Sequence, residues 1–195
     1  WTWNLGPSAS GLVLVDLLGG FVVALATTFK PMWAPITAPL YAALEGLALG
    51  AISWTFEAAY PGIVSQAVFL TFGVLGAILL AYRTGLVQAT ERFKMGVFAA
   101  TGGIMLVYLL SMVLGFFGIS IPLIHSGGAL GIGFSLLVVA VAALNLVLDF
   151  DLIESSAERG APRYMEWYGA FALLVTLVWL YLEMLRLLTK LQERR

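Results

Sequence analysis

The chain has 195 residues, of which 61% are hydrophobic and only 11% are charged, and its mean hydropathy is +0.98. This composition leaves too little polar surface for a water-soluble domain, so the lipid bilayer is the expected surrounding of the chain. The formal net charge of −1 excludes a basic surface for nucleic acid, and the absence of cysteine excludes disulfides, thiolate metal sites and thiol redox chemistry.

Six apolar segments are each long enough to span a bilayer, which takes about 20 residues in a helix. The predicted helices cover residues 12–29, 36–56, 63–82, 95–117, 129–150 and 165–188. The linkers between them are short and contain Pro, Gly and Ser, so the sequence predicts an all-α, polytopic membrane bundle that forms a single domain over residues 1–195. Residues 1–5 contain two tryptophans, which are typical of a membrane interface, and are interpreted as the end of an earlier spanning helix.

The basic residues give the expected orientation of the helices. Three alternate linkers contain all the basic residues found between the helices, whereas the other two linkers contain none; the basic residues are Lys30, Arg83, Arg92, Lys94, Arg159 and Arg163. The positive-inside rule places these three linkers in the cytoplasm. The C-terminal tail with Lys190, Arg194 and Arg195 then lies outside, against the rule, but three linkers outweigh one tail.

Glu45 is the acidic residue that lies deepest in a predicted helix, roughly ten residues or 15 Å from its start. An aspartate at the centre of a spanning helix costs about 2.5–3.5 kcal/mol on insertion, so Glu45 is expected to face other helices and not lipid. Gly46 and Gly50 follow at a spacing that favours close helix packing. Two interpretations remain open: a protonated side chain hydrogen-bonded to a neighbouring helix, or a ligand for an ion or proton.

A second acidic group follows the apolar run "LNLVLDFD" that begins at Leu144. Asn145 and Asp149 are four residues apart and share one helix face, whereas Asp151 is rotated by about 200° from Asp149. Asp149 is therefore expected to face the bundle and Asp151 the polar side, with Glu166 near them at the start of the last helix. These carboxylates are either ordinary interface residues, or a cluster that shares protons, senses pH and holds a cation such as calcium at Asp149 and Asp151.

Several stretches resemble the Bax inhibitor-1 family, whose members contain the transmembrane Bax inhibitor motif, and in particular its prokaryotic branch. They are "LDFDLIE" with the later "LVWLYLEMLRLL", "YAALEGLALGAISWTFEAAYPGIVSQAVFLT" and "ATERFKMGVFAATGG". The resemblance covers residues 35–188. It implies a fold of seven helices, of which the six in this chain are the second to seventh, a C-terminus outside the cytoplasm, and a location in the inner membrane of a prokaryotic cell.

The resemblance also implies a pH-sensitive calcium leak. In better-known members, an aspartate at the cytoplasmic end of the penultimate helix pairs with an aspartate in the last helix, and the proton that they share closes the pore. Asp149 matches the first aspartate, and Glu45 matches a glutamate found in many members. Counting back from "LRLL" places the second aspartate at Thr176, and none of residues 173–177 is acidic. Asp151 or Glu166 is then expected to replace it.

The leading prediction is a passive, proton-sensitive channel for calcium or other cations. Glu45 would be a pore ligand, and Asp149 with Asp151 or Glu166 would form a cytoplasmic gate, so the expected partners are the bilayer, calcium ions and protons. The alternative is a non-transporting regulator or accessory subunit that binds another membrane protein, such as a membrane protease. His125 is the single histidine and no catalytic arrangement stands out, so neither an enzyme nor a cofactor is predicted.

Overall fold

The computed structural model describes residues 10–117 and 128–194, except for the side chains of residues 10–17 and of Phe116. The two tryptophans near the start of the chain, interpreted as the end of an earlier helix, lie outside the described residues. His125, expected in a loop, also lies outside them.

Six α-helices and one short 3-10 helix make up the described residues, and these residues contain no strand. The helices are α1 (Ser10–Phe29), α2 (Ala34–Ala59), α3 (Ile63–Arg83), α4 (Glu91–Phe116), α5 (Ala129–Glu158) and α6 (Tyr164–Glu193). The 3-10 helix, Pro31–Trp33, joins α1 to α2. The predicted all-α class is therefore confirmed. The five helices α2 to α6 are long and apolar enough to cross a membrane, and the described side chains of α1 are apolar as well.

The penultimate helix, α5, is longer than predicted, because it continues to Glu158 and not only to residue 150. The polar residues that follow the apolar run do not end it. Gly160 ends it in the left-handed conformation (φ 62°), and the amide of Ala161 donates to the carbonyl of Ser156 across the turn (3.0 Å). Both aspartates of the predicted cluster therefore lie within the helix and not at its end.

The turn between α2 and α3 is held by a carboxylate. Pro61 and Gly62 occupy its centre, and Gly62 has a positive φ of 86°, which a glycine adopts without strain. The two carboxylate oxygens of Glu57 accept hydrogen bonds from the amides of Gly62 (2.6 Å) and Val64 (3.1 Å). These amides have no partner within the first turn of α3, so Glu57 stabilises the start of that helix.

The chain forms two compact units, residues 1–65 with 151–175, called unit 1, and residues 66–150 with 176–195, called unit 2. In unit 1, α1 packs against α2, and the hydroxyl of Thr27 donates to the hydroxyl of Thr37 (2.8 Å). The ring of Tyr41 meets the ring of Phe171 edge to face, with centroids 5.1 Å apart. The prediction of a single domain stays a prediction.

Unit 2 contains most of the fully buried side chains. Val138 and Leu146 from α5, and Leu180 and Leu185 from α6, have no exposed surface. In the most apolar stretch of α5 and of α6, 50% of the residues are buried, whereas the corresponding shares are 17% for α3 and 11% for α4. The faces of α3 and α4 therefore remain available to lipid, whereas the contact between α5 and α6 is the interior of unit 2.

Candidate functional site

The contact between α5 and α6 in unit 2 contains two polar pairs, one towards each end. The hydroxyl of Thr176 hydrogen-bonds to the carboxyl of Asp149. The ammonium of Lys190 donates to the hydroxyl of Ser135 (2.9 Å). The two pairs lie fourteen residues apart on either helix, so α5 and α6 run antiparallel in one constant register along this seam.

Both helices place buried polar residues at multiples of seven along their contact. On α6 a spacing of seven relates Thr176, Glu183 and Lys190, which we call the α6 polar stripe, and all three side chains are buried. On α5 a spacing of fourteen relates Ser135 and Asp149, which are also buried. Residues seven or fourteen apart lie on nearly the same face of a helix, so each set lies along one buried side of its helix.

Asp149 is a buried carboxyl group on the α5–α6 seam, and its hydrogen bonding is incomplete. Its side chain is 9% exposed, in agreement with the inward orientation expected from its helix face. Thr176 satisfies one side of the carboxyl, but Oδ2 is buried and has no hydrogen-bond partner among the described residues. A buried polar atom without a partner costs about 1–3 kcal/mol. An ionised Asp149 therefore leaves an oxygen that a proton or a cation can satisfy.

Thr176 lies at the position where the resemblance expects a second aspartate, and it faces Asp149 as that aspartate would. A hydroxyl donates one hydrogen bond and carries no charge, whereas a second carboxylate would repel the first or share its proton. Asp149 therefore faces a neutral partner on α6. The contact therefore holds one carboxylate, and not the two that the resemblance implies.

Asn145 was expected beside Asp149, but its hydrogen bonds lead elsewhere. The amide nitrogen donates to the hydroxyl of Thr101 on α4 (2.8 Å) and to the carbonyl of Val141 one turn earlier on α5 (2.9 Å). Both amide protons are therefore used, and neither is left for the Asp149 carboxyl. Asn145 ties α5 to α4 and does not support the carboxylate.

Asp151 and Glu166 belong to unit 1, whereas Asp149 and Thr176 belong to unit 2. Asp151 is half-buried, and Glu166 is exposed in the first turn of α6, where a negative charge stabilises a helix. The partner that the structure gives to Asp149 is Thr176. The expectation that Asp151 or Glu166 replaces the second aspartate stays a prediction.

Glu45, in unit 1, is buried at 9% exposure and accepts a hydrogen bond from the hydroxyl of Tyr41, one turn earlier on α2. It faces α1, because a methyl group added at Gly20 would lie 3.3 Å from Glu45 Oε2. The expected inward orientation agrees with these contacts. The expectation that Gly46 makes room for packing is wrong: Gly46 is exposed and a methyl group there meets nothing within 4 Å, because successive helical residues are rotated by about 100°.

A buried ionic cluster in unit 2 was not predicted from the sequence. Glu183 is 2% exposed, and its Oε1 accepts hydrogen bonds from the hydroxyl of Tyr108 on α4 (2.9 Å) and from the guanidinium of Arg186 (3.0 Å). Arg186 also donates to the Tyr108 hydroxyl (2.6 Å). The signal in the sequence was the three-residue spacing of Glu183 and Arg186, which places opposite charges side by side on a helix.

The assignment of Lys190 to a C-terminal tail beyond the last helix is wrong. Helix α6 continues to Glu193, and Lys190 is 5% exposed within it. Its ammonium donates to the carbonyl of Gly131 (3.0 Å) as well as to the hydroxyl of Ser135. Because these two oxygens on α5 accept its hydrogen bonds, the side chain is held against α5 and does not extend into water.

The metal-binding capacity of the site is small. Among residues 10–117 and 128–194, no three His, Cys, Asp or Glu side chains lie close enough together to hold a metal ion. A cation at Asp149 would meet one carboxylate and the Thr176 hydroxyl, and water would complete its ligands. One carboxylate and one hydroxyl are fewer protein ligands than a tight calcium site uses.

Comparison with known proteins agrees with this architecture. A family model described as "Bax inhibitor 1 like" matches residues 1–193, which include every described helix. No curated protein matches the chain, and no solved structure does. The match therefore includes Glu45, Asp149 and the whole α6 polar stripe.

Proposed function

We propose that this chain, which belongs to the Bax inhibitor 1 like family, is a passive leak for calcium or other cations, and that Asp149 makes the leak sensitive to pH. Five long apolar helices make it an integral membrane protein, and we place it in the inner membrane of a prokaryotic cell. A leak needs no catalysis and no resident cofactor. Its partners in this proposal are the bilayer, protons and the ions that pass.

One observation supports this proposal above all others: Oδ2 of Asp149 is buried within the α5–α6 seam and has no hydrogen-bond partner among the described residues. Two species can satisfy that oxygen, a proton on the carboxyl or a cation beside the carboxylate. A proton and a cation cannot both bind Oδ2 of Asp149 at the same time. A leak that passes Asp149 is therefore blocked by protonation and admits cations when the carboxylate is ionised.

Thr176 determines how the proposed gate at Asp149 responds to pH. Its hydroxyl can hold the Asp149 carboxyl in one orientation in both protonation states, because a carbonyl oxygen of the neutral acid also accepts a hydrogen bond. No second carboxylate on α6 adds its own charge at this contact. The pH dependence of flux should therefore follow a single protonation, and not the coupled titration of a pair.

Glu45 keeps two roles open within the proposal. Its hydrogen bond with Tyr41 on the same helix and its contact with Gly20 on α1 stabilise unit 1. The same carboxylate, buried in a spanning helix, is an ion ligand in our proposal, since ionisable groups in bilayers usually serve a function. Asp151 and Glu166 are proposed only to attract cations towards the cytoplasmic end, because both are at least partly exposed acidic residues.

Calcium flux into liposomes tests the proposal. The purified chain is reconstituted into liposomes that contain a calcium-sensitive dye, and flux is measured over a series of pH values at two calcium concentrations. We expect flux to fall as pH falls, and the midpoint of this fall to move to lower pH at the higher calcium concentration, because calcium and protons compete for Asp149. If the protein shows no flux at any pH, the alternative of a non-transporting regulator that binds another membrane protein takes its place.

A further inference from the structure

The ammonium of Lys190 lies in surroundings that a free cation would also occupy. Its two acceptors, the Gly131 carbonyl and the Ser135 hydroxyl, are neutral oxygens at 3.0 and 2.9 Å. Carbonyl and hydroxyl oxygens are the ligands that proteins use for cations such as calcium. The lysine therefore fills an oxygen-lined position between α5 and α6 with a charge that is covalently fixed to α6.

The two hydrogen bonds that hold Lys190 go to neutral oxygens, so neither of them cancels its charge. Glu183 lies near enough to attract it, but the Glu183 carboxyl is hydrogen-bonded to Tyr108 and Arg186. Arg186 repels Lys190, and the other attracting group, Glu193, is exposed. Lys190 therefore holds its own positive charge between neutral oxygens in the interior of unit 2.

Lys190 and Asp149 stand at opposite ends of the same seam. Lys190 lies fourteen residues from Thr176 on α6, which is roughly 21 Å along a helix. The fully buried apolar side chains of Val138, Leu146 and Leu180 lie on the two helices that form this seam. A cation that moves along α5 and α6 therefore meets a fixed positive charge at one end and a carboxylate at the other.

We infer that Lys190 is a tethered cation that occupies the oxygen-lined position formed by Gly131 and Ser135, and that it limits cation entry at that end of unit 2, divalent cations most of all. The inference rests on the proposed leak along the α5–α6 seam and names the residue that sets its rate and ion preference. The repulsion between a fixed charge and an ion is proportional to the charge of the ion, so calcium is opposed twice as strongly as potassium.

The test measures calcium and potassium flux through the full chain in liposomes of neutral lipid. Lys190→Met keeps the length of the side chain and removes its charge. We expect it to raise calcium flux roughly tenfold and potassium flux only a few fold, because repulsion scales with charge. Lys190→Arg keeps the charge and should leave the ratio of the two fluxes unchanged. Arg194→Met removes an exposed charge from the same end of α6 and is the matched control.

The outcomes separate this inference from the proposed function. If the unsubstituted chain conducts, and Lys190→Met raises calcium flux more than potassium flux whereas Arg194→Met does not, the inference stands. If the unsubstituted chain conducts and Lys190→Met leaves both fluxes unchanged, the inference is overturned while the leak stands. Silence of both proteins contradicts both. Helical content and the elution profile identify a variant that fails to fold. If Lys190→Met fails to fold, the double variant Ser135→Ala, Lys190→Gln replaces it. An unchanged ratio of calcium to potassium flux in the double variant equally overturns the inference.

Discussion

The hydroxyl of Thr176 on α6 hydrogen-bonds to the carboxyl of Asp149 on α5, and the second oxygen of that carboxyl is buried without a partner among the described residues. This contact determines which oxygen of Asp149 is left to bind another group. One oxygen is held by a neutral donor, and in the proposed leak the other binds either a proton or a cation. The contact also shows why a single protonation is expected where two aspartates would titrate together.

Thr176→Asp should spread the pH dependence of flux over a wider pH range and divide it into two steps. The substitution places a second carboxylate against Asp149, and two close carboxylates repel each other, so the pair takes up its first and second protons in separate steps. The measurement is calcium flux against pH, compared with the unsubstituted chain. Thr176→Asn, which has nearly the same size as the aspartate and no charge, is the control and should keep a single step. Identical pH profiles for the aspartate and asparagine variants would contradict the role assigned to Thr176.

Tyr108→Phe should destabilise the folded chain by about 1.5–3 kcal/mol, because the Tyr108 hydroxyl bonds to two charged groups, Glu183 and Arg186. The free energy of unfolding is measured by titration with a denaturing detergent. Tyr164→Phe removes a hydroxyl from a half-buried tyrosine at the start of α6 and is the control. A loss of similar size in the control would show that the cluster has no special weight.

Gly20→Val should destabilise unit 1, whereas Gly46→Val should change stability little. A side chain at Gly20 meets Glu45 and Tyr41, and overpacking of this kind costs typically about 1–3 kcal/mol. A side chain at Gly46 points into open space. Thermal unfolding of the two variants gives the comparison. A reversed order would mean that Gly46, and not Gly20, lies in the tight contact.

The cytoplasmic position of two linkers can be tested directly, because the chain has no cysteine of its own. Cysteines introduced singly at Thr84 and Ala161 should resist an impermeant thiol reagent in intact cells and react after the cells are opened. The reason is that the basic residues are concentrated in these linkers. Ready labelling of both positions in intact cells would invert the orientation.

Local patterns in the sequence were enough to predict several features of the structure. The apolar runs predicted six helices because a helix in lipid needs a continuous apolar stretch, and the inward orientation of Asp149 was predicted from its position on the helix face. The end of α5 was not predicted, since it depends on the backbone at Gly160 and not on the change from apolar to polar residues. A polar residue can continue a helix beyond the membrane.

Contacts between helices far apart in the sequence were not predictable. Tyr108 reaches Glu183 across 75 residues, and Lys190 reaches Ser135 across 55. Such pairs depend on the register of α4, α5 and α6, which no local pattern fixes. Lys190 was assigned to the C-terminal tail because it follows the last apolar run, whereas its acceptors on α5 depend on how α5 and α6 are aligned.

The most direct test of the central claim compares Asp149→Asn with Asp151→Asn in calcium flux measured against pH. Asparagine has nearly the shape of aspartate but cannot take up a proton in this range, so Asp149→Asn removes the competition between protons and cations at one atom. We predict that Asp149→Asn flattens the pH dependence of flux, and that Asp151→Asn largely preserves it. A pH profile unchanged by Asp149→Asn would contradict the account.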